Sequence, residues 1–384
     1  MNVAVFGLSQ AAQIITNVIE NFYNPWLKNR GAEPLNVTAL VARGGVAPDF
    51  GRVGNLAIIN EVQFSALYAK KVINKIIFPR EDMANSWLLK LISLGVKAED
   101  FYLTCRLSNN ISPLNFLEPY LSAKFLPQLE FHAADNCNLN CRGCSHFSGL
   151  VTKPTFPSLT KFEKDLNRLH ELIDDIDRLY ILGGEPLLNP EVNEYVKLCR
   201  KIYPHSKLKL VTNGILLPKM SDEFFQTIRT NNASIEVSSY PPMHSKIPQL
   251  EKFLNEKQVD FIVRKYAEKF SIKHTLAPHN KQSEIFFRCS RANCHFLYDG
   301  KIAACCFPFM VKYFNEYFNQ NWTADGITDL YETDLTAEKI KSRLMTPFEL
   351  CRHCTDHVMI DWGAISYPSP ITDWTNDHLI GNNV

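Results

Sequence analysis

The stretch Leu129-Glu130-Phe131-His132-Ala133-Ala134-Asp135-Asn136-Cys137-Asn138-Leu139-Asn140-Cys141-Arg142-Gly143-Cys144 decides how this chain is read. Leu129 to Ala134 has the pattern of a β-strand, and three cysteines follow it at once in C-x3-C-x2-C spacing. Thiolates are the usual ligands of iron-sulfur clusters, and three of them leave the fourth iron of a 4Fe-4S cluster open to an outside ligand. A zinc site with His146 as fourth ligand is the alternative on this motif alone.

Outward from that strand, strands and helices alternate. Leu159 to Ile173 reads as a helix, Leu179 to Leu182 as a strand, Pro190 to Tyr203 as a helix and Leu208 to Thr212 as a strand. Asp222 to Arg229 and Leu250 to Leu254 follow as helices, with strands at Ser234 to Ser238 and Asp260 to Val263. Such units imply a parallel sheet curled into a partial barrel of (βα)6 type. Polar groups end successive strands: Gly183-Gly184-Glu185-Pro186, then Thr212-Asn213-Gly214, then Ser238-Ser239-Tyr240. Ligands of parallel barrels are met at those strand ends. Glycines let backbone approach closely, and a carboxylate pairs with an ammonium.

The cysteine loop after the first barrel strand and the GGEP after the second resemble the radical S-adenosylmethionine (SAM) superfamily, over roughly Leu129 to Tyr266. The resemblance implies that Cys137, Cys141 and Cys144 hold a 4Fe-4S cluster whose open iron is chelated by SAM. It implies that Gly183, Gly184 and Glu185 meet the SAM amine, and that Asn213 and Ser238 meet its ribose or carboxylate. Gly143 stands where the family commonly has an aromatic residue against adenine, and Phe147 is the expected substitute.

A second group of cysteines lies downstream. Phe296 to Ala303 reads as a β-hairpin turning at Asp299-Gly300, with Cys289 before it, Cys305 after it, and Cys351-x2-Cys354 beyond a helix at Ala337 to Leu344. This pattern resembles the SPASM or "twitch" module, which implies one auxiliary 4Fe-4S cluster on Cys289, Cys305, Cys351 and Cys354. Structural zinc on the same four thiols is the alternative. Cys294 and Cys306 are left over, as replacement ligands or buried thiols, with Cys306 also a candidate hydrogen-atom donor. Cys105 and Cys199 read as ordinary core or surface cysteines.

The N-terminal segment reads as a Rossmann-like α/β unit, with strands at Asn2 to Phe6, Val37 to Val41 and Ile73 to Phe78. Only Gly7 of a dinucleotide fingerprint is present, so a scaffold or docking role is the plainer reading. Pro119 and Pro127 flank an irregular stretch, giving expected domains of 1–122, 123–285 (the barrel) and 286–384 (the cysteine-rich hairpin module).

The 384 residues carry 41 Lys plus Arg against 40 Asp plus Glu, so no overall field draws nucleic acid or anionic lipid. No signal peptide or apolar run of about 18 residues is seen, and a cytoplasmic location is expected. Eleven cysteines in a reducing cytosol point to metal or redox chemistry rather than disulfides.

The resemblance implies reductive cleavage of SAM to a 5′-deoxyadenosyl radical and hydrogen abstraction from a substrate. A closed auxiliary cluster suits oxidation, and a flavodoxin- or ferredoxin-type protein is the expected electron donor. The Rossmann-like segment leans the substrate towards a sugar or nucleotide-linked small molecule. Peptide modification is the rival enzyme reading. A non-catalytic iron-sulfur carrier or sensor and a zinc-stapled binding protein are the rivals from other classes.

Overall fold

The structure, a computed structural model, describes residues 1–42, 52–53, 55–80, 83–105, 116–264, 266 and 268–380. It divides into two compact units: Met1–Pro127 with Thr336–Ser342, and Gln128–Leu335 with Arg343–Val384.

The first unit is built on seven strands: β1 (Asn2–Phe6), β2 (Asn36–Val41), β3 (Arg52–Val53), β4 (Leu56–Ile59), β5 (Lys75–Phe78), β6 (Phe101–Thr104) and β7 (Leu117–Pro119). Their order is β3-β4-β2-β1-β5-β6-β7. The central pairs are parallel, and β3 and β7 join antiparallel at the edges. β1 is an apolar run because both its faces are covered; Val3 to Phe6 are at most 1% exposed. Gly7, at φ 104°, turns the chain into the helix Gln10–Val18, whose first turn is capped by the Ser9 hydroxyl.

The second unit holds β8 (Phe125–Ala134), β9 (Asp175–Gly183), β10 (Lys207–Thr212), β11 (Ala233–Val237), β12 (Asp260–Val263), β13 (Lys269–His274), β14 (Phe296–Tyr298), β15 (Lys301–Ala303), β16 (Ile327–Asp329) and β17 (Cys354–Asp361). Its main sheet runs β12-β11-β10-β9-β8-β14-β15-β16, with β9 to β12 parallel to one another. The intervening helices bury one stripe each. Leu159–Leu172 turns Phe162, Leu166 and Leu169 inward, and Val192–Ile202 turns in Val192, Tyr195, Cys199 and Ile202. Each large apolar side chain so buried contributes roughly 1.5–3 kcal/mol. Cys199 is one of these core residues.

The two units stand beside the expected domains of 1–122, 123–285 and 286–384. The first unit runs to Pro127, and residues 286–335 and 343–384 lie in the same unit as the parallel strands β9 to β12. The reason is pairing: β14 lies parallel to β8, with Phe296 opposite Glu130 and Leu297 opposite Phe131. The cysteine-rich hairpin therefore continues the main sheet. Its turn, Asp299-Gly300, has both residues in the left-handed region that a two-residue hairpin requires. Thr336–Ser342 instead belongs to the first unit, where Lys341 is buried and its ammonium donates to the carbonyls of Tyr120 and Ala123. Among the described residues no helix is long and apolar enough to cross a membrane.

Candidate active site

The cysteine loop leaves β8 at Asp135 and is gripped from two sides. On one side the GGEP turn bonds to it, Gly184 N–H donating to Ala134 O (2.8 Å) and Glu185 N–H to Asn136 O (3.0 Å). A Cβ on Gly183 would lie 2.1 Å from Ala134 O, and one on Gly184 would lie 2.3 Å from Asn136 O. Only glycine permits this approach. On the other side the chain after β17 pairs with the loop. Arg142 N–H donates to Gly363 O and Ile365 N–H to Asn140 O, both at 2.8 Å, with Cys141 bridged to Ala364.

Cys137, Cys141 and Cys144 line one cavity of about 310 Å³ with Gly183, Gly184, Asn213 and Ser238. Their sulfurs already receive N–H groups: Leu139 N–H at 3.4 Å and Asn213 Nδ2 at 3.8 Å on Cys137, and Trp362 Nε1 at 3.2 Å on Cys141. Burial, then the charges of Glu185 and the neighbouring thiols, push the Cys137 thiol well above its usual range. Burial and Cys144 push Cys141 up to about 12. Thiols so gathered cannot ionise together without a cationic group between them. Among the described residues no three His, Cys, Asp or Glu side chains are placed to hold a single metal ion. This donor set, with N–H groups on sulfur, fits an iron-sulfur cluster.

Glu185 stands behind the glycines, fully buried. Its carboxylate accepts from Leu187 N–H (3.1 Å), the Thr212 hydroxyl (2.7 Å) and Asn213 N–H (2.9 Å). Burial, against those three donors, pushes it up to about 7. It thereby ties the end of β9 to the end of β10. Asn213 in turn donates to Asn138 Oδ1 at 2.7 Å, linking β10 to the cysteine loop.

Phe147 requires a correction. It is fully buried, with ring centroids 5.3 to 6.0 Å from His274, Phe307, Phe314 and Trp374, and so has no free face for adenine. Its place is the core beneath the loop. The aromatic rings that do line the cavity are Tyr180, Tyr240 and Phe270.

The downstream cysteines divide into two sets. Cys289, Cys305 and Cys354 line a second, small cavity of about 40 Å³. Burial, then Cys305 and Cys289, raise the Cys351 thiol, and burial with Cys289, Cys351 and Cys305 raises Cys354. These four thiols thus lie within electrostatic reach of one another. Cys294 and Cys306 line the first cavity and not the second, Cys305 lines both, and Cys306 Sγ lies 3.8 Å from Ser145 O. Cys289, Cys305 and Cys354 line the small cavity and Cys351 lies within electrostatic reach of it, a set of four that fits a closed cluster with no open position.

Several further residues stand in or beside the cavities, and of these only His146 was marked in the sequence, as a possible zinc ligand. Glu130 sits beside Cys294; burial pushes its carboxyl up to about 7, against hydrogen bonds from Cys294 and Gln128. His146 lies 2.7 Å from His132, which pairs at 2.7 Å with Asp135. Although burial opposes it, the bonds from His132, Tyr298 and Tyr313 hold the Asp135 carboxyl down at about 2. Arg264, Arg291, Lys273 and Trp362 were also unmarked. Each becomes visible only when distant segments meet.

Gly184→Ala is expected to displace the backbone leading to Cys137, lowering stability by about 1–3 kcal/mol and reducing the iron held by the first site. Iron per chain and the denaturation midpoint measure both effects; no change in either would show that the loop relaxes freely.

The family description "Radical SAM superfamily" matches residues 133–261. A GTP 3′,8-cyclase from Alkaliphilus oremlandii (strain OhILAs) is 26% identical over 125 residues, covering 30% of this chain and 37% of that protein. One from Petrotoga mobilis (strain DSM 10674 / SJ95) is 36% identical over 93 residues, covering 24% and 28%. The matched segment therefore spans about a third of these relatives' length. Among solved structures, BtrN in complex with AdoMet and 2-DOIA aligns with a TM-score of 0.39 at 14% identity, over 61% of this chain and 94% of that one. Residues 133–261, which include the cysteine loop and the ends of β9, β10 and β11, thus form a radical SAM domain.

Proposed function

We propose that the chain is a radical SAM enzyme that oxidises a polar small molecule, a sugar or nucleotide-linked compound being the class favoured. One observation carries the reading: the three thiols of the cysteine loop share a cavity with the ends of β9, β10 and β11 and with polar groups including Glu130, Arg264 and Arg291. Cys137, Cys141 and Cys144 would hold the SAM-binding 4Fe-4S cluster, and Cys289, Cys305, Cys351 and Cys354 an auxiliary one. When bound, these groups supply a 5′-deoxyadenosyl radical that takes a substrate hydrogen atom, and an acceptor for the electron left behind.

The protein's own share is binding, orientation and exclusion of water. Gly183 and Gly184 present backbone to the methionine end of SAM. Glu185, fully buried behind the glycines and held by Leu187, Thr212 and Asn213, would set the turn that offers their backbone to the SAM amine. Ser238 and Asn213 serve the ribose or carboxylate, and Tyr240 with Phe270 offers the apolar wall an adenine needs. The Ser148 hydroxyl is buried on the same cavity and is free, among the described residues, to meet a polar ligand. The electron donor would be a flavodoxin or ferredoxin in the cytoplasm.

The test is anaerobic reconstitution followed by SAM and dithionite, with 5′-deoxyadenosine and methionine as readouts. Both should form in equal amounts. Absence of 5′-deoxyadenosine from a chain carrying its full iron would overturn the proposal.

A further inference from the structure

Two side chains, Cys305 and Arg291, line both the first cavity and the small second one. Arg291 lies in the single turn Ser290–Asn293 that follows Cys289. Its positive charge is felt by Cys305, Cys306 and Cys354. Among the described residues no carboxylate pairs with it. The nearby Asp356 is taken by Arg288 at 2.9 Å, and Glu284 lies 3.1 Å from that same arginine. Lys273, on the same cavity and only 7% exposed, bonds to the Ser290 hydroxyl at 3.3 Å. A cation set beside buried thiols without an acid of its own is costly unless an anionic group faces it.

A closed iron-sulfur cluster with four thiolate ligands is such a group, and it becomes one unit more negative on reduction. A fixed cation nearby favours the reduced form most, because in a low-dielectric setting the attraction is weakly screened. Arginine suits this task, since it stays charged at any working pH. We infer that Arg291 is the fixed counter-charge of the second cysteine site and raises its reduction potential, so that it accepts the electron left on the substrate. The inference rests on the proposed auxiliary cluster. In the oxidation of an alcohol, the carbon radical forms its C=O bond by giving one electron to that cluster and its hydroxyl proton to solvent. Arg291 is thus a positioning residue for charge, touching neither substrate nor SAM in this role.

The test compares Arg291→Gln and Arg291→Lys in the full chain, reconstituted anaerobically, by iron counting and an EPR-monitored redox titration. Repeating it in the Cys137, Cys141 and Cys144→Ala background leaves the second cluster alone in the spectrum. Arg291→Gln should make reduction about tenfold less favourable, which is about 59 mV for one electron, with iron unchanged. Arg291→Lys should keep the original potential. Arg291→Met, which retains an apolar stem, is the second charge-free variant. An unchanged potential in Gln or Met variants with full iron would overturn the inference, as would loss of iron from both. Absence of the second set of irons from the unaltered chain would instead sink the auxiliary-cluster reading, and this inference with it.

Discussion

Replacing Cys137, Cys141 and Cys144 together with alanine will abolish 5′-deoxyadenosine formation and take the iron content from about eight atoms per chain to about four. These thiols face the first cavity, whereas Cys289, Cys305 and Cys354 surround another, so the remaining irons have separate ligands. The fold itself should persist, because the loop's backbone bonds to the GGEP turn and to residues 363–365 do not use the thiols. Iron and sulfide counting, the charge-transfer absorption and chromatographic assay of 5′-deoxyadenosine measure the outcome. A variant that still cleaves SAM, or a parent protein loaded with zinc, would refute the assignment.

The second large effect concerns Cys351 and Cys354. Changing both to alanine should remove about four irons while sparing the first cluster. SAM cleavage without substrate should continue near its original rate, whereas turnover of an oxidised substrate should fall to background. Cys294→Ala and Cys306→Ala should each leave iron unchanged, since neither thiol lines the second cavity and the first cluster has its three ligands in the cysteine loop. Loss of the second cluster from Cys294→Ala, with retention in Cys289→Ala, would move the ligand assignment by one cysteine. A Cys306→Ala chain that keeps its iron but releases a differently oxidised product would make Cys306 a hydrogen-atom donor.

What the sequence carried was local. The C-x3-C-x2-C loop and the strand-end glycines are neighbours in the chain, so spacing alone located one edge of the cavity. The hairpin at Asp299-Gly300 was legible because its turn residues are set by backbone geometry. Its place in the sheet was not, since pairing of β14 with β8 joins residues far apart in sequence. The same holds for Arg291 and Trp362, whose contacts depend on the chain returning from elsewhere. Phe147 shows the opposite error. A chain position near the cysteines suggested a ligand contact, but its side chain turned into the core with three other aromatic rings and His274.

The pairing of residues 363–365 with the cysteine loop also has a consequence for biogenesis. Trp362, which donates to the Cys141 sulfur, follows that cysteine by 221 residues. At bacterial-to-eukaryotic translation speeds this separation amounts to roughly 10–40 seconds of synthesis. Throughout that interval the three thiols emerge without the strand that later covers them. The loop is therefore completed only after residues 363–365 have been made, and until then the nascent cysteines depend on the cell's reducing and chaperoning machinery.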